Sequence, residues 1–176
     1  MHQISTRSIS EAGEQELVWR HPSILKQEYE LRAGAETLAT LRWPRALGSL
    51  AEAEAVKGRW TFKRTGFWKP RATIRIAGSE EDVAIFQPQW TGNGVLGFAD
   101  GSSSRRWTGT NFLRTRFAWE DERGDPLVRL HSRGLRTEAE VALEPDALRL
   151  PELPLLVIFG LYLVVSEQAA GGASSS

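Results

Sequence analysis

Pro151-Glu152-Leu153-Pro154-Leu155-Leu156-Val157-Ile158-Phe159-Gly160-Leu161-Tyr162-Leu163-Val164-Val165 is the stretch on which the fold turns. Proline suits the first turn of a helix, and Glu152 suits the positive end of its dipole. From Leu153 onward the run is apolar on every side, so a helix made of it has no face for water. Such a helix is enclosed in a core or in a membrane. Length separates the two. Leu153 to Val165 rises about 20 Å as a helix, whereas the hydrocarbon core asks for about 30 Å, or roughly 20 residues. Glu152 and Glu167 bracket the run closely, and neither belongs in lipid. The reading is a buried core helix over about 153–167. A membrane tail anchor and an additional strand are the alternatives, since Val and Ile also suit sheets.

A helix that is dry all round needs apolar cover all round, and the preceding sequence supplies it. From about Leu17 to Leu143 the chain reads as short strands with turn punctuation. In Glu138–Leu143, Ala139, Val141 and Leu143 alternate with Glu138 and Glu140. Ala72, Ile74 and Ile76 alternate with Arg71, Thr73 and Arg75, and Leu113, Thr115, Phe117 and Trp119 alternate with Arg114, Arg116, Ala118 and Glu120. One dry and one wet face is the habit of antiparallel sheets. Asn93-Gly94 separates Val83–Trp90 from Val95–Phe98 as a hairpin turn would, and Asp100-Gly101 and Gly124-Asp125-Pro126 punctuate later strands. Between Gly34 and Lys57 a helix competes, but Pro44 and Gly48 interrupt it, and strands with a connecting loop are preferred. Eleven or twelve strands result, about eight to twelve residues apart, a spacing that favours a barrel or sandwich. The expected fold is all-β: a closed antiparallel barrel of about twelve strands around a buried hydrophobic C-terminal helix. Closure also removes exposed sheet edges. Residues 1–15 read as a loosely ordered segment, 16–168 as the barrel with its central helix, and 169–176 as a flexible tail.

Composition bounds the function. The chain has 176 residues, enough for one domain that needs no staple. Lys and Arg total 22 and Asp and Glu total 22, so a uniformly basic nucleic-acid binder is excluded. Cysteine is absent, which removes disulfides, thiol catalysis and cysteine-ligated zinc. No basic-then-apolar leader follows Met1, so no signal peptide is expected.

The arrangement resembles the tubby C-terminal-like superfamily, which holds the tubby domains, the phospholipid scramblases and the LURP-one-related proteins. The likeness rests on Gly58-Arg59-Trp60-Thr61-Phe62, Gly94-Val95-Leu96-Gly97-Phe98-Ala99-Asp100-Gly101, Trp107, Asn111-Phe112, Phe117-Ala118-Trp119-Glu120-Asp121 and the apolar helix from Pro154 to Val165, over about residues 20–168. It implies a twelve-stranded barrel around a hydrophobic helix. Tubby domains bind phosphoinositides through basic side chains, scramblases are linked to calcium and phospholipid movement, and LURP-one-related proteins mostly lack an assigned activity. No tubby-type phosphoinositide site aligns residue by residue here, and the scramblase calcium segment has no counterpart. The lack of cysteines and of a long span argues against a close scramblase.

Three stretches could carry chemistry. Lys57 to Arg75 holds seven cations and no acid, with Trp60, Phe62, Phe67 and Trp68 interleaved. Within it Lys63, Arg64, Trp68, Lys69 and Arg71 form the candidate headgroup site: cations meet lipid phosphates while the indole enters the interface. The competing reading is a hairpin whose aromatics pack on the barrel and whose cations are merely solvated. Nucleic acid could use the same groups by stacking, but no recognised motif supports it. Glu120–Asp125 clusters carboxylates without an EF-hand spacing and reads as a hairpin tip. Gly101–Arg106 could hold an anion at a turn, and a flexible hairpin loop is the simpler account.

Catalysis finds no support. His2, His21 and His131 stand far apart and show no zinc spacing; no G-x-S-x-G elbow, P-loop or dinucleotide fingerprint occurs. The expectation is a non-enzymatic soluble barrel without cofactor or metal. It is cytoplasmic and peripheral at an anionic phospholipid surface, with no nucleic acid and no integral span. The alternative is a structural or protein-interaction module with no lipid role.

Overall fold

The computed structural model describes residues 3–23, 25–45, 48–133 and 138–173. Twelve strands run in chain order: β1 (Leu17–Arg20), β2 (Glu28–Ala33), β3 (Glu36–Arg42), β4 (Leu50–Ala55), β5 (Gly58–Thr65), β6 (Arg71–Ile76), β7 (Asp82–Pro88), β8 (Gly94–Phe98), β9 (Ser104–Gly109), β10 (Arg116–Glu120), β11 (Pro126–Ser132) and β12 (Glu138–Leu143). Each pairs antiparallel with its neighbours in sequence, and β1 closes the ring against β12 through Leu17 opposite Val141 and Trp19 opposite Ala139. A short 3-10 helix, Pro145–Arg149, then turns the chain into α1 (Leu153–Ala173). The closed barrel and its central helix are those expected from patterning.

An up-and-down ring sorts its connections into two ends. The connections after odd-numbered strands lie at one end, here the upper, and their described residues are 21–23, 25–27, 43–45, 48–49, 66–70, 89–93, 110–115 and 133. The loops after even-numbered strands lie at the lower end, where α1 enters. Residues 3–15 lie along the lower part of the wall. The Ser5 N–H donates to the Thr37 carbonyl, Arg7 pairs with Glu36, and Ile9 and Ala12 are buried in the main core.

The wall is built of unequal side chains. Ala39, Ala51, Ala53 and Ala55 line β3 and β4, while Phe62, Phe86, Trp107, Phe117 and Trp119 line β5, β7, β9 and β10. Small residues let the helix approach one side, and aromatic rings fill the wider gap on the other, as close packing requires. Phe159 of α1 stacks on Tyr162 and meets Phe62 and Phe86 edge-on at 5.1 and 5.6 Å. The Trp119 indole N–H donates to the Leu156 carbonyl at 2.8 Å, which ties the helix to β10. Over the window Leu153–Gly171 the helix is long and apolar enough to cross a membrane, yet 67% of that window is buried inside the barrel.

Several local expectations shift. The helix continues to Ala173, beyond the expected end near 167 and through residues read as tail. β10 begins at Arg116, because Arg114 adopts φ 50° and so leaves the extended region. Asn111 Oδ1 accepts the N–H groups of Thr115 and Arg116 instead. Leu113 is therefore in a loop and exposed. Ile76, at the lower end of β6, is half exposed and not part of the inner row. The hairpin at Asn93-Gly94 forms, but its turn lies at 89–93. Gly94 is the first residue of β8, where any Cβ would run into the Phe86 ring.

Candidate functional site

The basic-aromatic stretch forms the upper half of the β5–β6 hairpin. Pleating splits its cations between two faces. Phe62 and Ile74 point inward; Lys63 lies opposite Thr73 and Thr65 opposite Arg71, so Lys63 and Arg71 share the outer wall. Arg64 has the inward parity and stands at the rim above Tyr162. Burial raises the pKa of that phenol, and the Arg64 charge offsets part of the rise. Lys69 and Trp68 occupy the tip. All five candidate residues are exposed. The structure thus brings Lys63, Lys69 and Arg71 onto one side of the hairpin with Trp68, and sets Arg64 apart.

The aromatics decide between the two readings of this hairpin. Trp60 and Phe62 pack toward the barrel, Phe62 with no exposure at all. Phe67 and Trp68 do not pack on it: each is 90% exposed, and their rings meet edge-on at 5.4 Å. A groove of about 1080 Å³ runs between this tip and the β7–β8 loop, with Lys69 and Arg71 on one wall and Gln89 and Trp90 on the other. Thr65 Oγ1 lies buried beside it with no hydrogen-bond partner among the described residues. An exposed indole beside cations, in a groove with a second indole, can hold a phosphate by charge while the rings contact an apolar phase. Trp90 was not among the residues singled out from sequence. A lone tryptophan after Gln89 has the same letter in a core strand as in a loop tip, and only strand ends tell them apart.

The other candidate stretches resolve into structural features at the lower end. Asp121 accepts the N–H groups of Asp125 and Arg123 across a turn, and those bonds, chiefly that from Asp125, hold its carboxyl below the usual carboxylate range. Asp100 does the same for Ser102, with the same direction of shift. Arg105 is drawn inward by Glu152 at 2.6 Å, with side chains only 11% and 13% exposed. A cleft of about 430 Å³ lies between the two stretches, bordered by Ser102, Arg105, Glu122 and Asp146. His21 stacks on Tyr29 at 4.7 Å and its Nε2 is 2.8 Å from the Lys26 carbonyl oxygen, while His131 lies 3.6 Å from Glu140. His2 lies outside the described residues. Among the described residues no three His, Asp or Glu side chains come together as metal ligands would.

Comparison with known proteins supports the architecture alone. No protein-family model matches the chain, and no curated protein matches it in sequence. Among solved structures it is similar to an X-ray structure of a protein from Arabidopsis thaliana, a LURP-one-related protein. The TM-score is 0.57 at 10% identity, over 87% of this chain and 91% of that one. The class defined by the fold is therefore a closed twelve-strand barrel around a central helix. Identity this low carries the fold and nothing of the function.

Proposed function

We propose that the protein is a non-enzymatic, cytoplasmic binder of phospholipid headgroups that associates peripherally with anionic membrane surfaces through the β5–β6 hairpin. The same reading includes membership of the tubby C-terminal-like superfamily; what supports it is the sequence resemblance, the closed barrel with its enclosed helix, and the likeness in fold to the Arabidopsis structure. The observation that carries the functional reading is the 90% exposure of Phe67 and Trp68 between Lys63, Lys69 and Arg71. A folded chain hides such rings unless something else covers them.

Magnitudes show that both kinds of group are needed. A cation near an anionic leaflet contributes about 1 kcal/mol, so Lys63, Lys69 and Arg71 together give about 3 kcal/mol, which is weaker than millimolar binding. Sinking a large apolar side chain into the interface contributes about 1.5–3 kcal/mol more. Charge alone therefore gives weak, salt-sensitive attachment, and the indole brings it into the range of stable association.

The test is co-sedimentation with vesicles of phosphatidylcholine alone or with phosphatidylserine, at low and high salt. Wild-type protein is expected to sediment with the anionic vesicles only, and less at high salt. The double variant Lys69→Glu with Arg71→Glu is expected to lose about tenfold or more of the bound fraction at low salt, since it replaces two attractive charges by two repulsive ones. An unchanged bound fraction would remove this hairpin from the function. A protein that binds neither vesicle would direct attention to protein partners.

A further inference from the structure

We infer that the whole upper arc of the barrel, and not one hairpin, is the membrane-facing surface. The loops 66–70, 89–93 and 110–115 enter the bilayer interface together, with the barrel axis upright and the acidic lower end turned to water. This rests on the lipid-binding reading above and adds its geometry.

The first observation is where apolar surface is left uncovered. Among the described residues nine large hydrophobic side chains are exposed, and only Val56 and Ile76 lie toward the lower end. Five of the rest crowd onto three consecutive upper loops: Phe67 and Trp68, Trp90 at 107%, and Phe112 and Leu113 at 99% and 76%. The second observation is that the second and third of these loops are fixed to one another. Arg114 Nη1 donates to the Thr91 carbonyl and its Nη2 to the Gly92 carbonyl, both at 3.1 Å, and its guanidinium also pairs with Glu167 near the end of α1. The Gly109 N–H donates to Asn93 Oδ1 at 3.0 Å. The first loop faces the second across the groove already described. Two of the three tips are thus held as one set, and ordering those two at a surface costs little further entropy.

The third observation is charge. Among the described residues of the upper loops there is no Asp or Glu, while Lys26, Arg45 and Lys69 are present together with Arg114 and Arg133, which pair with Glu167 and Glu140. The lower loops carry Glu80, Glu81, Asp100, Asp121, Glu122 and Asp125 against Lys57 and Arg123. A chain of net charge zero is therefore polarised along its axis, so an anionic plane attracts one end and repels the other. Shape separates a bilayer from a protein partner. Rings exposed to this degree are isolated points with a groove between them, whereas protein interfaces present a continuous packed apolar centre. A fluid interface accepts separate points.

The absence of cysteine in the wild-type chain makes the orientation measurable. Single-cysteine variants Phe112→Cys and Glu81→Cys are labelled with a polarity-sensitive fluorophore and mixed with phosphatidylserine-containing vesicles. The label at 112 is expected to brighten several-fold and shift to the blue, and the label at 81 to stay unchanged. In unlabelled protein, Trp90→Ser and Phe112→Ser are each expected to lower the bound fraction about tenfold, with unfolding curves matching wild type. If the Lys69/Arg71 double variant still abolishes binding but the label at 112 does not respond, attachment is by the single hairpin and the arc is overturned. If wild-type protein ignores anionic vesicles, the underlying lipid reading fails and the arc with it. A response at 112 that depends on protein concentration without lipid would overturn the bilayer in favour of a second copy of this chain.

Discussion

Gly160 shows how closely the enclosed helix is fitted. It is the one glycine in the apolar run between Leu153 and Val165, where helix propensity alone would favour alanine by about 1 kcal/mol. In the structure a Cβ there would sit 3.1 Å from Trp119 Nε1, 3.1 Å from Leu130 Cδ1 and 3.3 Å from Trp107 Cζ3. Trp119 cannot yield freely, because its indole N–H is engaged by the Leu156 carbonyl. Packing therefore opposes propensity, and overpacking costs about 1–3 kcal/mol. Gly160→Ala is expected to destabilise the protein by about 1 kcal/mol or more, read as a lower urea midpoint with an unchanged slope. A variant more stable than wild type would mean that the contact of α1 with β9–β11 is looser than described. The apolar run predicted that the helix is enclosed; it gave no reason for the glycine, because Trp107, Trp119 and Leu130 meet Gly160 only after β9, β10 and β11 have paired.

At the scale of elements, α1 is fixed at both ends by an arginine from the wall. Arg105 of β9 holds Glu152 just before the helix, and Arg114 of the β9–β10 loop holds Glu167 in its last turns. Both carboxylates were read from sequence as reasons to keep the helix out of lipid; they prove to be its anchors. The Arg105–Glu152 pair is almost enclosed, so removing one partner leaves a charge without compensation, at about 3 kcal/mol. Replacing both with apolar residues removes that penalty. Arg105→Met and Glu152→Leu are each expected to lower stability by about that amount, and the double variant by clearly less than their sum. Additive losses in a thermodynamic cycle would show that the two side chains do not depend on one another. Strand positions were legible wherever alternation was uninterrupted, as in β12. They were less so at β10, where Arg114 takes a left-handed conformation that the alternation of Leu113, Thr115 and Phe117 conceals.

At the scale of the molecule, the chain's two tyrosines report on the integrity of the barrel. Tyr29 and Tyr162 are both buried, and desolvation raises both phenols above their ordinary value near 10. A raised folded pKa means that the unfolded chain ionises first. Stability is then intact below about pH 10 and falls as pH rises from there through the folded values. On the acid side the sign reverses. Glu11, Asp100 and Asp121 are held below their usual range, Glu11 and Asp100 chiefly by side-chain hydrogen bonds and Asp121 chiefly by the Asp125 N–H, so what they contribute is lost as pH falls through their folded values. Phenolate absorbance at pH 10 is expected to be lower in folded protein than in denaturant, where it is about half developed, and to rise in step with unfolding. Half-developed phenolate in the folded protein at pH 10 would mean that both rings are open to solvent.

The sequence by itself determined the fold class. A run with no polar face needs an enclosure, and alternating strands with short polar turns provide one; both facts are local and survive any error in strand ends. It also determined that cations and aromatics are interleaved between Lys57 and Arg75. What only the tertiary structure decided is how these features lie around the ring. Chain order of up and down strands sends every second loop to the same end. Residues far apart in sequence, Trp68, Trp90 and Phe112, become neighbours there, and acids and bases that cancel in the total separate along the axis. Exposure was beyond the sequence for the same reason. Phe62 and Phe67 are the same residue five positions apart, and which of them is covered depends on the pleat of β5, the end of the strand and the helix that fills the barrel.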